Sequence, residues 1–395
     1  MNMKKTNALL LTFLLSFMGV LPAAFASDDT ETLDITAIEV NKPSEYYLSL
    51  EKAIEMAYTD NPQIIANEYK QAATKINIKS AKMDKSALKN SQKAMANANI
   101  PGISGLSVTT IETLLVREGY LVNAAEMQDR LAIKELDKIK ATIAYNVTQS
   151  YYNLVLMDKL VNAADSAYKL ALENKAIVDA QNSLGLIPAI DYENADVSVL
   201  GAENALNTYK LNKSIAMENL KIYLNKEDEN CIIIPTDDIE YEEYFSEVER
   251  DLESAVSTRY DLTALKETRD LAEKYFNISK AFTEASAAYN TAYSDFLAAD
   301  YNYTNTTNLI KLSIRNSYNE ILTSASSMDI SKRQYEMKRK EYQADKAKYD
   351  LGMISNIELT ATINELYNAQ VAYANAKLTY TMAVEKYKYE ITIGL

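Results

Sequence analysis

The chain has 395 residues with a formal net charge of -14, and it contains no histidine and a single cysteine. This acidity argues against nucleic-acid binding, and one cysteine excludes an internal disulfide. The lack of histidine removes the commonest general base and the commonest metal ligand. We therefore expect no enzyme, no cofactor and no metal site. An exported enzyme that relies on carboxylates stays open as an alternative, although no motif supports it.

The first 26 residues have the pattern of a secretory signal peptide. Two lysines near the start precede an apolar run over residues 8–21, and the small-x-small triplet Ala24-Phe25-Ala26 follows as a cleavage site. An uncleaved membrane anchor is less favoured because the apolar run is short and ends in the cleavage pattern. We expect the chain to be exported.

The next elements are an acidic lead-in over residues 27–47 and a helix that begins near Leu48. Asp60-Asn61-Pro62 predicts that this helix stops and restarts, because a capping residue precedes a proline suited to the first helical turn. Prolines and glycines cluster over residues 97–120 and mark the next break. A long helix is predicted to resume near Leu121.

That helix is predicted to run to Leu184-Gly185, and another should cover Pro188 to about Asn225. A charged linker over residues 226–248 follows, with a short strand-like core at Cys231–Ile234. Between Pro235 and Gly352 the chain contains neither glycine nor proline. This stretch predicts a helical rod with a bend or two, and not a compact globule.

The two halves of the chain repeat one another at a constant offset of 167 residues. The residues in register are Leu184/Leu351, Gly185/Gly352, Ile187/Ile354, Ile190/Ile357, Asp191/Glu358, Ala202/Ala369 and Ala205/Ala372. We therefore expect a mainly all-α fold made of two tandem copies of a very long antiparallel helical hairpin. Hairpin repeat 1 covers residues 48–225, and hairpin repeat 2 covers residues 249–395.

A ladder of large residues and alanines follows Gly352 at the coiled-coil spacing of three and four. Its members are Leu366, Ala369, Tyr373, Ala376, Tyr380, Ala383 and Tyr387. The ladder predicts one seam against a partner helix, with tyrosine rings over neighbouring alanines. Gly352 can adopt the positive φ of a helix C-cap, and Ser355 and Asn356 can cap the returning helix. The segment thus predicts a reversal of chain direction.

The duplicated layout, the "NPQI" entry and the loop and ladder "YDLGMISNIELTATINELYNAQVAYANAKLTY" resemble the TolC family of outer-membrane efflux proteins. The resemblance covers most of residues 48–225 and 249–395, and "LYNA" and "ANAK" are its most specific part. It implies a homotrimer whose helices form a tapering conduit, placed in the cell outer membrane or envelope. It also implies a periplasmic adaptor protein and an inner-membrane efflux pump as partners.

The resemblance implies two sets of site residues. Adaptor docking in the family uses an apolar-Gly-apolar turn at each helix reversal, and the matching residues here are Leu184, Gly185, Leu186, Leu351, Gly352 and Met353. The alternative is that these turns only cap helices. Relatives also carry acids at the entrance constriction, six and nine positions after the second glycine.

The sixth position after each glycine is acidic here, Asp191 in the first copy and Glu358 in the second, whereas the ninth is Asn194 or Ala361. A trimer would then have one level of carboxylates that raise one another's pKa and attract cations. Equally, both acids could simply stabilise the first turn of a helix.

The chain departs from the family in the segments where relatives have membrane-spanning strands. Neither "AKMDKSALKNSQKAM" nor the second such segment has a proline turn. Only residues 97–120 could contain membrane-spanning strands. We therefore expect a TolC-like fold with little or no β-barrel. Three readings remain, in this order: an efflux conduit, a non-pore α-helical coiled-coil rod of the cell envelope that keeps the fold, and the exported enzyme that relies on carboxylates.

Overall fold

The computed structural model describes residues 44–97, 110–226 and 230–394, so the predicted signal peptide lies outside the described residues. The elements in these ranges are β1 (Ser44–Leu48), α1 (Leu50–Tyr58), α2 (Pro62–Asn97), α3 (Ile111–Arg117), α4 (Tyr120–Ser183), α5 (Ala189–Tyr223), β2 (Cys231–Pro235), α6 (Val248–Thr258), α7 (Tyr260–Ser279), α8 (Ala287–Asp350) and α9 (Asn356–Thr392). The predicted class, mainly all-α with two long helical hairpins, is confirmed.

Both hairpins fold back at a glycine in the left-handed region. Gly185 has φ 67° between α4 and α5, and Gly352 has φ 71° between α8 and α9. In each turn the glycine N–H and the next N–H donate to carbonyls in the last turn of the helix, which is the Schellman motif. The bonds are Gly185 to Asn182 (2.9 Å), Leu186 to Gln181 (3.0 Å), Gly352 to Tyr349 (2.9 Å) and Met353 to Lys348 (2.9 Å). The predicted reversals are therefore present at the expected residues.

In the half of the molecule next to these turns, the helices lie in the order α5, α4, α9, α8. The helices α4 and α8 have 64 residues each, about 96 Å at the α-helical rise. Lys213 on α5 pairs with Asp158 on α4 at 2.5 Å, and Lys386 on α9 pairs with Glu320 on α8 at 2.9 Å. The outer helices α5 and α8 each pack chiefly on one neighbour.

In the other half, α2 and α7 replace α5 and α9, so the order becomes α2, α4, α7, α8. The chain turns between α7 and α8 over residues 280–286, where the sequence had predicted a rod with a bend or two. No glycine or proline makes this reversal. Instead, Ser286 caps α8 by accepting a bond from the Tyr289 N–H at 3.2 Å, and the Phe282 N–H donates to the Ser279 carbonyl at 2.9 Å.

Short elements join the hairpins near the middle of α4. The strand β1 pairs in parallel with β2, which the sequence predicted as strand-like, whereas β1 was placed in the lead-in. The predicted restart at Asp60-Asn61-Pro62 is confirmed, since the Asn61 side chain accepts a bond from the Gln63 N–H at 3.0 Å. Of the break at residues 97–120, residues 98–109 lie outside the described ranges, and α3 occupies most of the remainder.

The ladder on α9 faces α8 as predicted, and its rings meet other tyrosines. Tyr373 stacks on Tyr335 with ring centroids 6.0 Å apart, and Tyr387 lies 5.6 Å from Tyr318. The rings were expected to pack over alanines. Tyrosines of α8 also lie opposite the ladder, so contacts between rings join the two helices as well. A second face of α9 packs against the core around α4 through Val371, Ala374 and Leu378. Burial of two faces makes α9 the link between the hairpins.

A buried tyrosine on α4 holds the crossing segments in place. The Tyr151 side chain is fully buried, and its hydroxyl donates to the Leu48 carbonyl at 2.8 Å. The same oxygen accepts bonds from the backbone N–H groups of Thr236 and Asp237 at 3.2 and 3.1 Å. One side chain thus satisfies main-chain groups on both sides of the small sheet.

Replacing the glycine of the second turn should destabilise the hairpin. An alanine at Gly352 would meet no neighbouring atom within 4 Å, so the cost comes from the positive φ alone. We expect Gly352→Ala to lower the free energy of unfolding by about 1–2 kcal/mol, measured by denaturant unfolding followed by circular dichroism.

Gly201 provides the matched control, because it lies within α5 and also has open space around it. Gly201→Ala should raise stability by roughly 0.5–1 kcal/mol, since alanine is the better helix former. Equal effects of the two substitutions would contradict the assignment of Gly352 to a left-handed turn.

Removing the hydroxyl of Tyr151 should be costly because the Asp237 N–H loses its acceptor and the Leu48 carbonyl loses a buried donor. We expect Tyr151→Phe to reduce the free energy of unfolding by about 1–3 kcal/mol. Tyr152→Phe is the control, since the half-buried Tyr152 ring packs on Tyr151 and its hydroxyl bonds to no other described residue. A loss no larger for Tyr151 than for Tyr152 would show that the network contributes little.

Candidate functional site

The two helix reversals present apolar side chains to solvent. Leu184 and Leu186 flank Gly185, and Leu351 and Met353 flank Gly352; their exposed fractions are 71%, 69%, 76% and 70%, respectively. The Schellman turn explains this placement, because the glycine ends the helix and the residues on either side point away from the partner helix. Four large apolar side chains with no contact to bury them are a surface that a partner could cover.

The two turns differ in how the returning helix begins. Helix α9 starts with a complete capping box, in which the Ser355 side chain and the Glu358 side chain bond each other's backbone N–H. Helix α5 starts after Pro188, whose side chain offers no cap. Ile190 and Ile357, in the first turns of these helices, are also exposed and extend each apolar tip.

Glu358 is the acid of the second turn, and its carboxylate is already engaged within its own helix. It accepts bonds from the Ser355 N–H at 2.8 Å and from the Ser355 hydroxyl at 2.9 Å. These donors hold the pKa of Glu358 below its usual value. In the single chain, Glu358 thus fits the helix-start interpretation that the sequence left open.

Asp191 occupies the matching position in the first turn of α5. Its backbone N–H donates to the Pro188 carbonyl at 3.1 Å. No hydrogen bond or ion pair joins its carboxylate to any residue in the described ranges. Within one chain, no hydrogen bond joins the described side chains of Asp191 and Glu358. The Asp191 carboxylate therefore remains available to an outside cation.

A polar link between the hairpins, which the sequence reading missed, lies close to the turns. The Asn174 amide on α4 donates to the Asn356 side chain at 2.6 Å and to the Thr360 hydroxyl at 3.0 Å on α9. Asn174 and Asn356 are both buried, and the Asn174 Oδ1 and Asn356 Nδ2 atoms have no partner. The only signal in the sequence was an asparagine at a core-facing position of α4, which periodicity alone does not distinguish.

Two further classes of site have no support in the described part of the chain. No group of cysteine, aspartate and glutamate side chains there is placed to hold a metal ion. None of the helices in the described ranges is apolar over a stretch long enough to span a bilayer.

Comparison with known proteins gives three kinds of match. Residues 280–386 match the family described as "Outer membrane efflux protein". A curated relative, "Toxin and drug export protein A" of Aggregatibacter actinomycetemcomitans, is 25% identical over 142 residues, which is 36% of this chain and 31% of the relative. The match thus spans about a third of that relative's length.

Two solved structures share the fold over most of their length. A membrane protein from Pseudomonas aeruginosa superposes with a TM-score of 0.70 and 12% identity, covering 87% of this chain and 90% of that chain. The CmeC outer membrane channel of Campylobacter jejuni superposes with a TM-score of 0.60 and 15% identity, covering 87% and 85%. At these identities the likeness shows the fold. Together with the family match over residues 280–386, it agrees with the resemblance found in the sequence, to the TolC family of outer-membrane efflux proteins.

Proposed function

We propose that this chain is the channel component of an efflux system in the outer membrane or cell envelope. Three copies close into a helical conduit, and the turns at Gly185 and Gly352 dock to a periplasmic adaptor and an inner-membrane pump. The observation that carries the proposal is an exposed apolar stripe on each outer edge of the helical layer, which a second copy of this chain would cover.

The first edge runs along α5 and continues on α2. Its apolar side chains are exposed on the side of α5 opposite to α4, at the spacing of one helix face. They are Ile190, Val197, Leu200, Leu211, Ile215 and Ile222 on α5, and Ile65, Tyr69, Ile76 and Met83 on α2.

The second edge runs along α8, which spans both halves of the layer. Its exposed apolar side chains lie away from the seam with α9, and they are Tyr301, Leu309, Leu312, Leu322, Ile330 and Met337. A face of this kind on a long helix is the usual seam of a coiled coil.

Different edges at the two sides of one layer favour a head-to-tail contact. When the first edge of one copy meets the α8 edge of the next, the assembly is a ring if the rotation closes. A closed ring of helical layers has an interior lumen, which is what a conduit needs. An isologous pair of identical edges would leave the other two edges exposed.

The apolar tips support the docking part of the proposal. Each turn combines exposed leucine or methionine side chains with an exposed isoleucine of the following helix. Hairpin-shaped partners that pack helix against helix need such apolar positions. The acidic pair adds selectivity, because three copies would bring three Asp191 and three Glu358 carboxylates to the tip end of one lumen.

Purification of the exported chain followed by conductance in planar bilayers tests the conduit. We expect a trimer that conducts ions and is blocked by divalent cations. The double variant Asp191→Asn and Glu358→Gln should weaken this block, since glutamine can keep the capping bonds while the charge is removed.

The matched control removes two exposed acids of α5 that have no described partner, as Glu193→Gln and Glu203→Gln. This variant should be blocked like the unmodified chain. A non-conducting monomer would contradict the conduit and leave the non-pore envelope rod as the function. An unchanged block in the first variant would leave both acids as helix-end residues only.

A further inference from the structure

The part of α2 that leads away from the middle of α4 is strongly basic, although the chain as a whole is acidic. Residues 70–93 contain a single acid, Asp84, and seven lysines, namely Lys70, Lys75, Lys79, Lys82, Lys85, Lys89 and Lys93. We call this segment the lysine arm. A basic amphipathic helix is typical of contact with an anionic surface.

The acids on the neighbouring helix α4 do not neutralise the lysine arm. Glu135 pairs with Lys70 and Glu126 pairs with Lys82, while the Asp129 carboxylate accepts the Thr74 hydroxyl at 2.6 Å. The remaining lysines of the arm have no carboxylate partner among the described residues, and they are Lys75, Lys79, Lys85, Lys89 and Lys93. Their charge is available to an outside anion.

The end of the lysine arm extends beyond the packed part of the molecule. From Lys89 to the end of α2, all described side chains are exposed, whichever side of the helix they lie on. Met95, an apolar side chain two residues beyond the lysine arm and outside the first edge, is also exposed. The described part of the chain gives this end of α2 no neighbours and so stabilises it little, and an outside surface is the natural partner.

An aromatic cluster lies at the same end of the molecule. Lys85 lies against Gly119, which immediately precedes α4, and the Tyr120 ring is 5.7 Å from that of Tyr275. Beside it, the Phe276 ring contacts Tyr289, Tyr293 and Phe296, with centroids 5.2 to 5.9 Å apart. This end is opposite to the Gly185 turn, because α4 begins here and ends there. Tyrosines beside lysines are typical of a membrane–water interface.

We propose that this end of the chain lies on the phosphate head groups of an anionic lipid bilayer, with the lysine arm as its electrostatic contact. The unpaired lysines supply the charge complementarity, and the exposed Met95 and the aromatic cluster supply apolar contact with the acyl boundary. The contact goes beyond the proposed conduit, because it requires neither a pore nor a pump. The other possible occupant is a second copy, whose Asp295 and Asp300 on α8 could meet these lysines.

Flotation of the purified full chain with lipid vesicles tests the contact. We expect binding to vesicles that contain phosphatidylglycerol, little binding to pure phosphatidylcholine vesicles, and a decrease with added salt. The variant Lys79→Gln, Lys89→Gln and Lys93→Gln should bind anionic vesicles at least about tenfold more weakly, since each lysine near such a surface contributes roughly fivefold.

The control variant carries Lys210→Gln, Lys332→Gln and Lys340→Gln, which are exposed lysines without an ion-pair partner in the half next to the turns. It has the same net charge and should bind like the unmodified chain. Equal weakening in both variants would overturn the proposal, because net charge would then explain binding. Unchanged vesicle binding together with a loss of self-association in the lysine-arm variant would assign these lysines to a second copy, and conductance remains a separate readout of the conduit.

Discussion

The two apolar edges of the helical layer are the main physical constraint on this protein. Within one chain, α9 is buried on two faces and α4 on several, whereas α5, α2 and α8 keep apolar stripes that none of the described residues covers. Apolar surface of this extent is favourable only when it is removed from water. The hairpins, the turns and the tips matter for function because they place these edges on opposite sides of one layer.

Tyrosine accounts for much of how so long a fold is held without a disulfide. The sequence has 29 tyrosines. Ring pairs such as Tyr335–Tyr373 join α8 to α9, and such pairs add to the energy of area burial. Where the chain crosses between the hairpins, tyrosine hydroxyl groups instead form hydrogen bonds with main-chain groups. Tyr380 accepts the Tyr244 N–H at 2.9 Å and donates to the Glu242 carbonyl at 2.8 Å, as Tyr151 does for the segment before it.

The features that could be predicted from the sequence are those with a local physical cause. Gly185 and Gly352 were recognisable because only glycine adopts a positive φ at little cost, and the ladder was recognisable from its spacing. The reversal at residues 280–286 was not, because a serine cap makes it without glycine or proline. The strand β1 depends on a partner strand 187 residues away, and the Asn174–Asn356 contact joins two helices from different hairpins. Neither leaves a local signal.

Sedimentation of edge variants tests the head-to-tail closure most directly. One variant places lysines on the α5 edge, as Leu211→Lys and Ile215→Lys, and the other on the α8 edge, as Leu322→Lys and Ile330→Lys; all four positions are exposed in the single chain. The account predicts that the unmodified chain sediments as a trimer, that each variant alone is a monomer, and that an equimolar mixture forms dimers through the two intact edges. A variant that still assembles like the unmodified chain, or an unmodified chain that remains a monomer, would contradict it.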